Sequence, residues 1–292
     1  MDLPSALQRL ANYRTHNSRE SRDAFTSAYV VYSKNAIQSL GDDKWAFYEQ
    51  FALAAVDVGR IDVARDCLAH LSTQFPGSPR VQCLEGILKE AVEPPESALK
   101  FYQDVMAEDP SNGAAWKRLI AVHRRMGKID KAVSELSEFL DTFYTDVEGW
   151  VELAEIYASC HQYPYSLQSL SHVLLLAPQN PFYVLQAAET AYTAGDIPLA
   201  IRFFLMAVDM TDDTGDKPAK DAPPTGITIR AWYGVELCAR RLRTDVKATS
   251  SASDTPVPKE LPLVEQLAND MLKVVYASKG ALGKEEATRR LR

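Results

Sequence analysis

One spacing constrains this chain more than any other property: proline, small residues and glycine recur every 34 positions in a single frame. Pro76 leads to Pro110, Tyr144 and Pro178, and Ala64 leads to Ala98, Ala132, Ser166 and Ala200. Gly59, Gly127 and Gly195 fill a slot five residues ahead of the small residue in the first, third and fifth units. With 16 prolines and 13 glycines in 292 residues, three coincident series do not arise by accident. A fixed period of this length means a stack of like units, each unable to bury its apolar face alone.

Each unit reads as two helices joined by a tight turn. The glycine ends the first helix, where a left-handed residue is needed, and the next residues open the second. The small residue one turn later lets the paired helices approach closely. Pro76, Pro110 and Pro178 stop the second helix before the next unit begins. Trp150, Leu153, Ala154 and Tyr157, then Ser166, Leu170 and Pro178, reproduce the spacing of a tetratricopeptide repeat, and Trp116, Leu119, Ala132 and Leu136 repeat much of it. The expected fold is all-α: a right-handed superhelical tetratricopeptide-repeat solenoid with flanking helices.

The frame gives five contiguous units, 45–78, 79–112, 113–146, 147–180 and 181–214. Residues 1–44 form an expected N-terminal helical cap, with Phe25, Ala28, Tyr29, Tyr32 and Ala36 at three-and-four spacing. In the second unit Glu93-Pro94-Pro95-Glu96 replaces the glycine turn, which reads as a rigid, proline-capped turn. A polar loop is expected at 215–228, a helix of a displaced sixth hairpin at 229–242, a disordered-looking linker at 243–260 and a C-terminal helical region at 261–292.

Composition removes several classes of function. A formal charge of -7 gives no general attraction to nucleic acid or anionic lipid. Cys67, Cys83, Cys160 and Cys238 are far apart, as expected of free thiols in a reducing compartment. Asp2, Pro4, Gln8 and Arg9 interrupt any signal-peptide core, and no apolar run approaches the ~18 residues of a membrane span. The expectation is a cytosolic protein that meets a membrane only through partners.

Catalytic, metal and cofactor chemistry finds no foothold either. Gly283-Lys284 lacks the earlier glycine and the following hydroxyl residue of a phosphate loop. His16, His70, His123, His161 and His172 include no pair at helix-face spacing with a carboxylate, and Cys160-His161 are neighbours that face different directions. His123 holds the slot of Tyr157 in the next unit and reads as a satisfied packing residue. Trp116 and Trp150 recur at one packing slot and read as core, not as stacking platforms. No catalytic, cofactor-binding or metal-binding residue is therefore expected.

What remains is the surface of the first helix of each unit, which in such repeats lines a concave groove. Lys117, Arg118, Arg124 and Arg125 fall on inward-facing positions of the third unit, and Glu148, Glu152 and Glu155 on comparable ones of the fourth. Two readings stand side by side. Neighbouring units pair these charges, for example Arg118 beside Glu152, or a bipolar groove fixes the direction of a bound polypeptide by charge complementarity.

Beyond the generic repeat, Leu40-Gly41-Asp42-Asp43-Lys44-Trp45-Ala46-Phe47-Tyr48-Glu49-Gln50, Gln74-Phe75-Pro76-Gly77-Ser78-Pro79-Arg80-Val81, Tyr102, Glu108-Asp109-Pro110-Ser111-Asn112 and Asn17-Ser18-Arg19 carry a resemblance. They are similar to the subunit 2 family of the endoplasmic reticulum membrane protein complex, through most of residues 10–242. The resemblance implies a non-catalytic scaffold at the cytosolic face of the endoplasmic reticulum membrane, supporting insertion of tail-anchored and other weakly hydrophobic transmembrane segments. It implies a groove that cradles cytosolic segments of membrane-embedded subunits, with a soluble cytosolic subunit alongside. The departures are the polar stretches Asp212–Gly226 and Thr244–Pro258 and the C-terminal end.

The alternative is a co-chaperone adaptor that grips peptide C-termini with a carboxylate clamp. In the first frame Glu49, Leu53 and Leu84 stand where its Lys and Asn residues belong, and in the frame starting at Lys117 the Asn slots hold Ala121 and Glu152.

Overall fold

The computed structural model describes residues 2–16, 18–212 and 224–278, and every regular element among them is helical. The chain divides into two compact units, 1–143 and 144–292. The first contains α1 (Leu3–Thr15), α2 (Ser21–Ser33), a 3-10 turn (Ala36–Leu40), α3 (Asp43–Val58), α4 (Ile61–Gln74), α5 (Pro79–Val92), α6 (Pro95–Glu108), α7 (Gly113–Arg125) and α8 (Ile129–Thr142). Consecutive helices pack in antiparallel succession, and α5 also touches both α3 and α7, so first helices of successive repeats meet one another. The second unit contains α9 (Val147–Ser159), α10 (Tyr163–Leu176), α11 (Pro181–Ala194), α12 (Ile197–Asp212), α13 (Ile227–Thr244), a 3-10 turn (Val246–Thr249) and α14 (Leu261–Ser278). There α11 packs on α13 in the same manner.

The repeat slots acquire their physical reasons here. At Gly59, Gly127 and Gly195 the backbone takes φ of 81°, 71° and 89°, a region that costs a residue bearing a Cβ. Each turn closes with the same pair of bonds. Gly59 N donates to Val56 O (3.1 Å) and Arg60 N to Ala55 O (2.8 Å), which satisfies carbonyls that α3 would leave open. The fourth repeat makes this turn without glycine: His161 occupies the slot at φ 59°, and His161 N and Gln162 N donate to Ala158 O and Tyr157 O. In the second repeat Glu93 is extended, Pro94 follows and Pro95 opens α6, a position where a missing N–H costs nothing.

Pro76, Pro110 and Pro178 lie two residues beyond the ends of α4, α6 and α10. Ala64, Ala98, Ala132 and Ala200 are 0% exposed and Ser166 1%, its hydroxyl donating to Ala154 O of the paired helix at 2.8 Å. One slot escaped the sequence reading. Asn112, Asp146 and Asn180, again 34 apart, cap α7, α9 and α11, their side chains accepting from Ala115 N, Gly149 N and Phe182 N.

At the N-terminus Phe25 and Tyr32 pack on Phe51 with ring centroids 5.6 and 5.7 Å apart, and fully burying a ring of that size contributes about 1.5–3 kcal/mol. Arg19 and Ser21 fasten the cap by donating to Asp57 of α3, Arg19 through both Nε and Nη2.

Two expectations change beyond the fifth repeat. Helix α13 begins at Ile227, two residues before the expected 229. The stretch 243–260, read from composition as disordered-looking, holds the last residues of α13 and a 3-10 turn with Ala248 buried, and it is tied to Asp196 by hydrogen bonds. Part of its polarity is spent on internal bonds, while most of its residues stay exposed. Of the expected polar loop and C-terminal region, 215–223 and 279–292, with Gly283-Lys284, lie outside the described residues.

Candidate functional site

The seven charged groove residues fall in both units. In the first, α7 carries Lys117 and Arg124 seven residues apart and Arg118 and Arg125 seven apart, two adjacent stripes on one helix. The structure separates their roles. Arg118 donates from Nε to Glu90 Oε1 at 2.9 Å and reaches the same oxygen with Nη2 at 2.7 Å; Arg125 Nη1 donates to Glu90 O at 3.1 Å. Tyr102, fully buried, donates its hydroxyl to Glu90 at 2.8 Å.

Glu90 on α5 is therefore the hub that joins α6 and α7, with only 10% of its side chain exposed. Burial opposes the charge on Arg118, but Glu90 and the Tyr102 hydroxyl outweigh it and raise the guanidinium pKa. Burial, and then the charge of Glu90, hold the Tyr102 phenol well above its usual range.

Arg118 is thus a structural cation held by Glu90, one repeat back. Exposure does not separate the two stripes: Arg124 and Arg125 are both exposed, Lys117 and Arg118 both half-buried, and Lys117 sits 5.7 Å over the Phe139 ring.

In the second unit Glu148, Glu152 and Glu155 share one face of α9 at spacings of four and three. Glu148 lies in the first turn, where a carboxylate is stabilised by the helix dipole. Glu148 and Glu155 are exposed and Glu152 is half-buried.

The aromatic and histidine candidates are packing residues, with details the sequence did not reveal. Trp116 is half-buried, donates Nε1 to Glu135 at 3.0 Å and meets Phe139 edge-on. Trp150 stacks on His172 with centroids 4.1 Å apart and donates to Tyr144 O. Tyr157 packs on Tyr165. These tryptophans cover the pair interface from its edge and are not fully buried core.

His123 is buried, and the expectation of a satisfied ring is corrected: its Nδ1 has no hydrogen-bond partner. Burial lowers its pKa, so the ring is neutral. Among the described residues no cluster of His, Cys, Asp or Glu could hold a metal, and no helix is long and apolar enough to cross a membrane.

Glu90 and Tyr102 are what the sequence reading missed as a pair. Their partner Arg118 is 28 residues from Glu90 and 16 from Tyr102, and no local pattern links such positions. The signal available was a single acidic residue on the last turn of a helix that faces two neighbours.

Paired helices in a 34-residue register, N-capped in register and carrying surface charge on their first helices, define a tetratricopeptide-repeat protein. Comparison with known proteins narrows this. The EMC2 TPR-like repeat domain matches residues 63–199. ER membrane protein complex subunit 2-A of Xenopus laevis is 34% identical over 245 residues, covering 83% of this chain and 77% of the relative. TPR repeat protein oca3 of Schizosaccharomyces pombe is 26% identical over 258 residues, 84% of each chain. The solved structure of Pseudomonas aeruginosa pilF shares the fold, with a TM-score of 0.51 at 16% identity over 85% of this chain and 98% of that one. The chain belongs to the ER membrane protein complex subunit 2 family. Family and fold together point to a scaffold subunit of that complex, and a peripheral association with the endoplasmic reticulum fits a chain of this kind.

Proposed function

We propose that the protein is a non-catalytic scaffold at the cytosolic face of the endoplasmic reticulum, which holds cytosolic segments of membrane-embedded subunits on its first-helix surfaces and so supports insertion of weakly hydrophobic transmembrane segments. Membership of the subunit 2 family carries this reading. The charge on α7 supports it: Lys117 and Arg124 stand beside Arg118 and Arg125, which bind Glu90, and a basic face of this kind fits acidic segments. On α9 the Glu148 and Glu155 face offers basic segments a separate contact.

The test is reversal of the Lys117 and Arg124 stripe alone, Lys117→Glu with Arg124→Glu. Arg118 is left intact because its loss strands a mostly buried carboxylate. The expected result is co-purification with membrane subunits reduced about tenfold at physiological salt, with an unchanged helical circular dichroism spectrum. Cross-linking on detergent-solubilised membranes is expected to join Lys117 and Lys128 to cytosolic tails of membrane subunits. A wholly soluble pool, free of such cross-links, overturns the assignment.

A further inference from the structure

The segment after α13 is fastened in an unusual way. Asp196, only 6% exposed, stands just before α12 and caps it by accepting from Leu199 N at 3.1 Å. Its carboxylate also receives Ser251 Oγ at 2.8 and 2.9 Å, Ser253 Oγ at 2.9 Å and Ser253 N at 3.2 Å. Ser251 is the centre of the knot, since its hydroxyl oxygen accepts from Ser253 N and Thr255 N, both at 3.2 Å. Apolar anchorage is slight: Ala248 is buried and Val257 partly so, while Val246 is 85% exposed. The hold on 246–256 therefore rests chiefly on one carboxylate, which Ser251 and Ser253 share.

This strap forms one wall of a cleft of about 880 Å³, with Leu167, Leu174 and Phe203 on the helical side and Lys247, Ala252 and Ser253 on the strap side. Asp254 stands three residues after Ser251, and an acid at that offset is what acidophilic protein kinases read.

We propose that Ser251 is a phosphorylation site and that its modification releases the strap from Asp196 and opens the cleft. A protein kinase transfers the γ-phosphoryl group of ATP to Ser251 Oγ. The new O–P bond forms as the bond to the bridging oxygen breaks, ADP leaves, and the hydroxyl proton passes to solvent. The product has lost both hydrogen bonds to Asp196 and carries about two negative charges against that carboxylate. The N-terminus of α12 attracts anions in general, but its Leu199 N–H is already taken by Asp196, so repulsion decides the outcome. Lys247 belongs to the strap and moves with it, so it cannot anchor the phosphate to the helices.

The full chain treated with an acidophilic Ser/Thr kinase and Mg·ATP tests this, with the site mapped by mass spectrometry. Labelling at Ser251 is expected, together with amide exchange across 246–256 and tryptic cleavage after the exposed Lys247 about tenfold faster than in the untreated protein, α9 to α11 being unchanged. Ser251→Ala adds no charge and leaves the Ser253 bonds to Asp196 in place, so it is expected to loosen the strap far less than phosphorylation does. Failure of Ser251 to accept phosphate when a peptide of residues 244–258 does, labelling without faster exchange, or Ser251→Ala matching the phosphorylated protein each overturns the proposal.

Discussion

Gly86→Ala is the sharpest test of how the second and third repeats are packed. Gly86 lies inside α5, where alanine ordinarily gains about 1 kcal/mol in helix propensity. A Cβ built there stands 2.4 Å from Cε1, Cζ and Oη of Tyr102, against the 3.5–4.0 Å or so of a carbon contact. The ring would have to retreat by more than about 1 Å, yet it is fully buried and its hydroxyl is tied to Glu90 at 2.8 Å.

Overpacking of this kind costs about 1–3 kcal/mol, and loosening a bond to a charged acceptor adds about 1.5–3 kcal/mol. Less the propensity gain, net destabilisation is roughly 1.5–5 kcal/mol. Urea denaturation followed by circular dichroism measures it as a lowered midpoint. Tyr102→Leu makes room at a cost of its own, so the double variant is expected to be more stable than the summed single costs by about 1–2 kcal/mol. If Gly86→Ala raises the midpoint, or the two costs simply add, the steric account is refuted.

His161→Gly is expected to stabilise the protein by about 0.5–1 kcal/mol, because it removes a Cβ from a φ of 59° and loses only an exposed contact to Tyr163; His161→Ala, which keeps the Cβ, should give no gain in the same urea titration. His123 gives a pH dependence. Burial lowers its pKa from the ordinary 6.5, so the unfolded chain takes up the proton first as pH falls. Its contribution is complete above 6.5 and is lost as pH falls from there through the folded-state value, and His123→Leu should flatten the part of a stability profile that lies below 6.5. A slope unchanged by the substitution would place the effect elsewhere.

The repeat itself was legible because its slots are local demands. A helix that must end within one residue needs a left-handed backbone, so Gly59, Gly127 and Gly195 show through. Helices that must approach closely need small residues, so Ala64, Ala98, Ala132, Ser166 and Ala200 show through. His161 did not, because a histidine can occupy the same turn at a cost that nothing in its own letters records. The charged residues of α7 were found but not sorted. Spacing along one helix gives the stripes, while the assignment of Arg118 and Arg125 to Glu90 depends on α5 lying beside α7.

The strap was misread for the same reason. Serine-rich, alternating sequence reads as solvated chain until a buried carboxylate 55 residues away accepts its hydroxyls. The sequence by itself determined the period, the helix ends and the fold class, since these follow from dihedral angles and side-chain volume within a few residues. Tertiary structure decided which charges Glu90 gathers and where Asp196 holds the strap. Those outcomes depend on distances of a few ångströms between residues far apart in the chain.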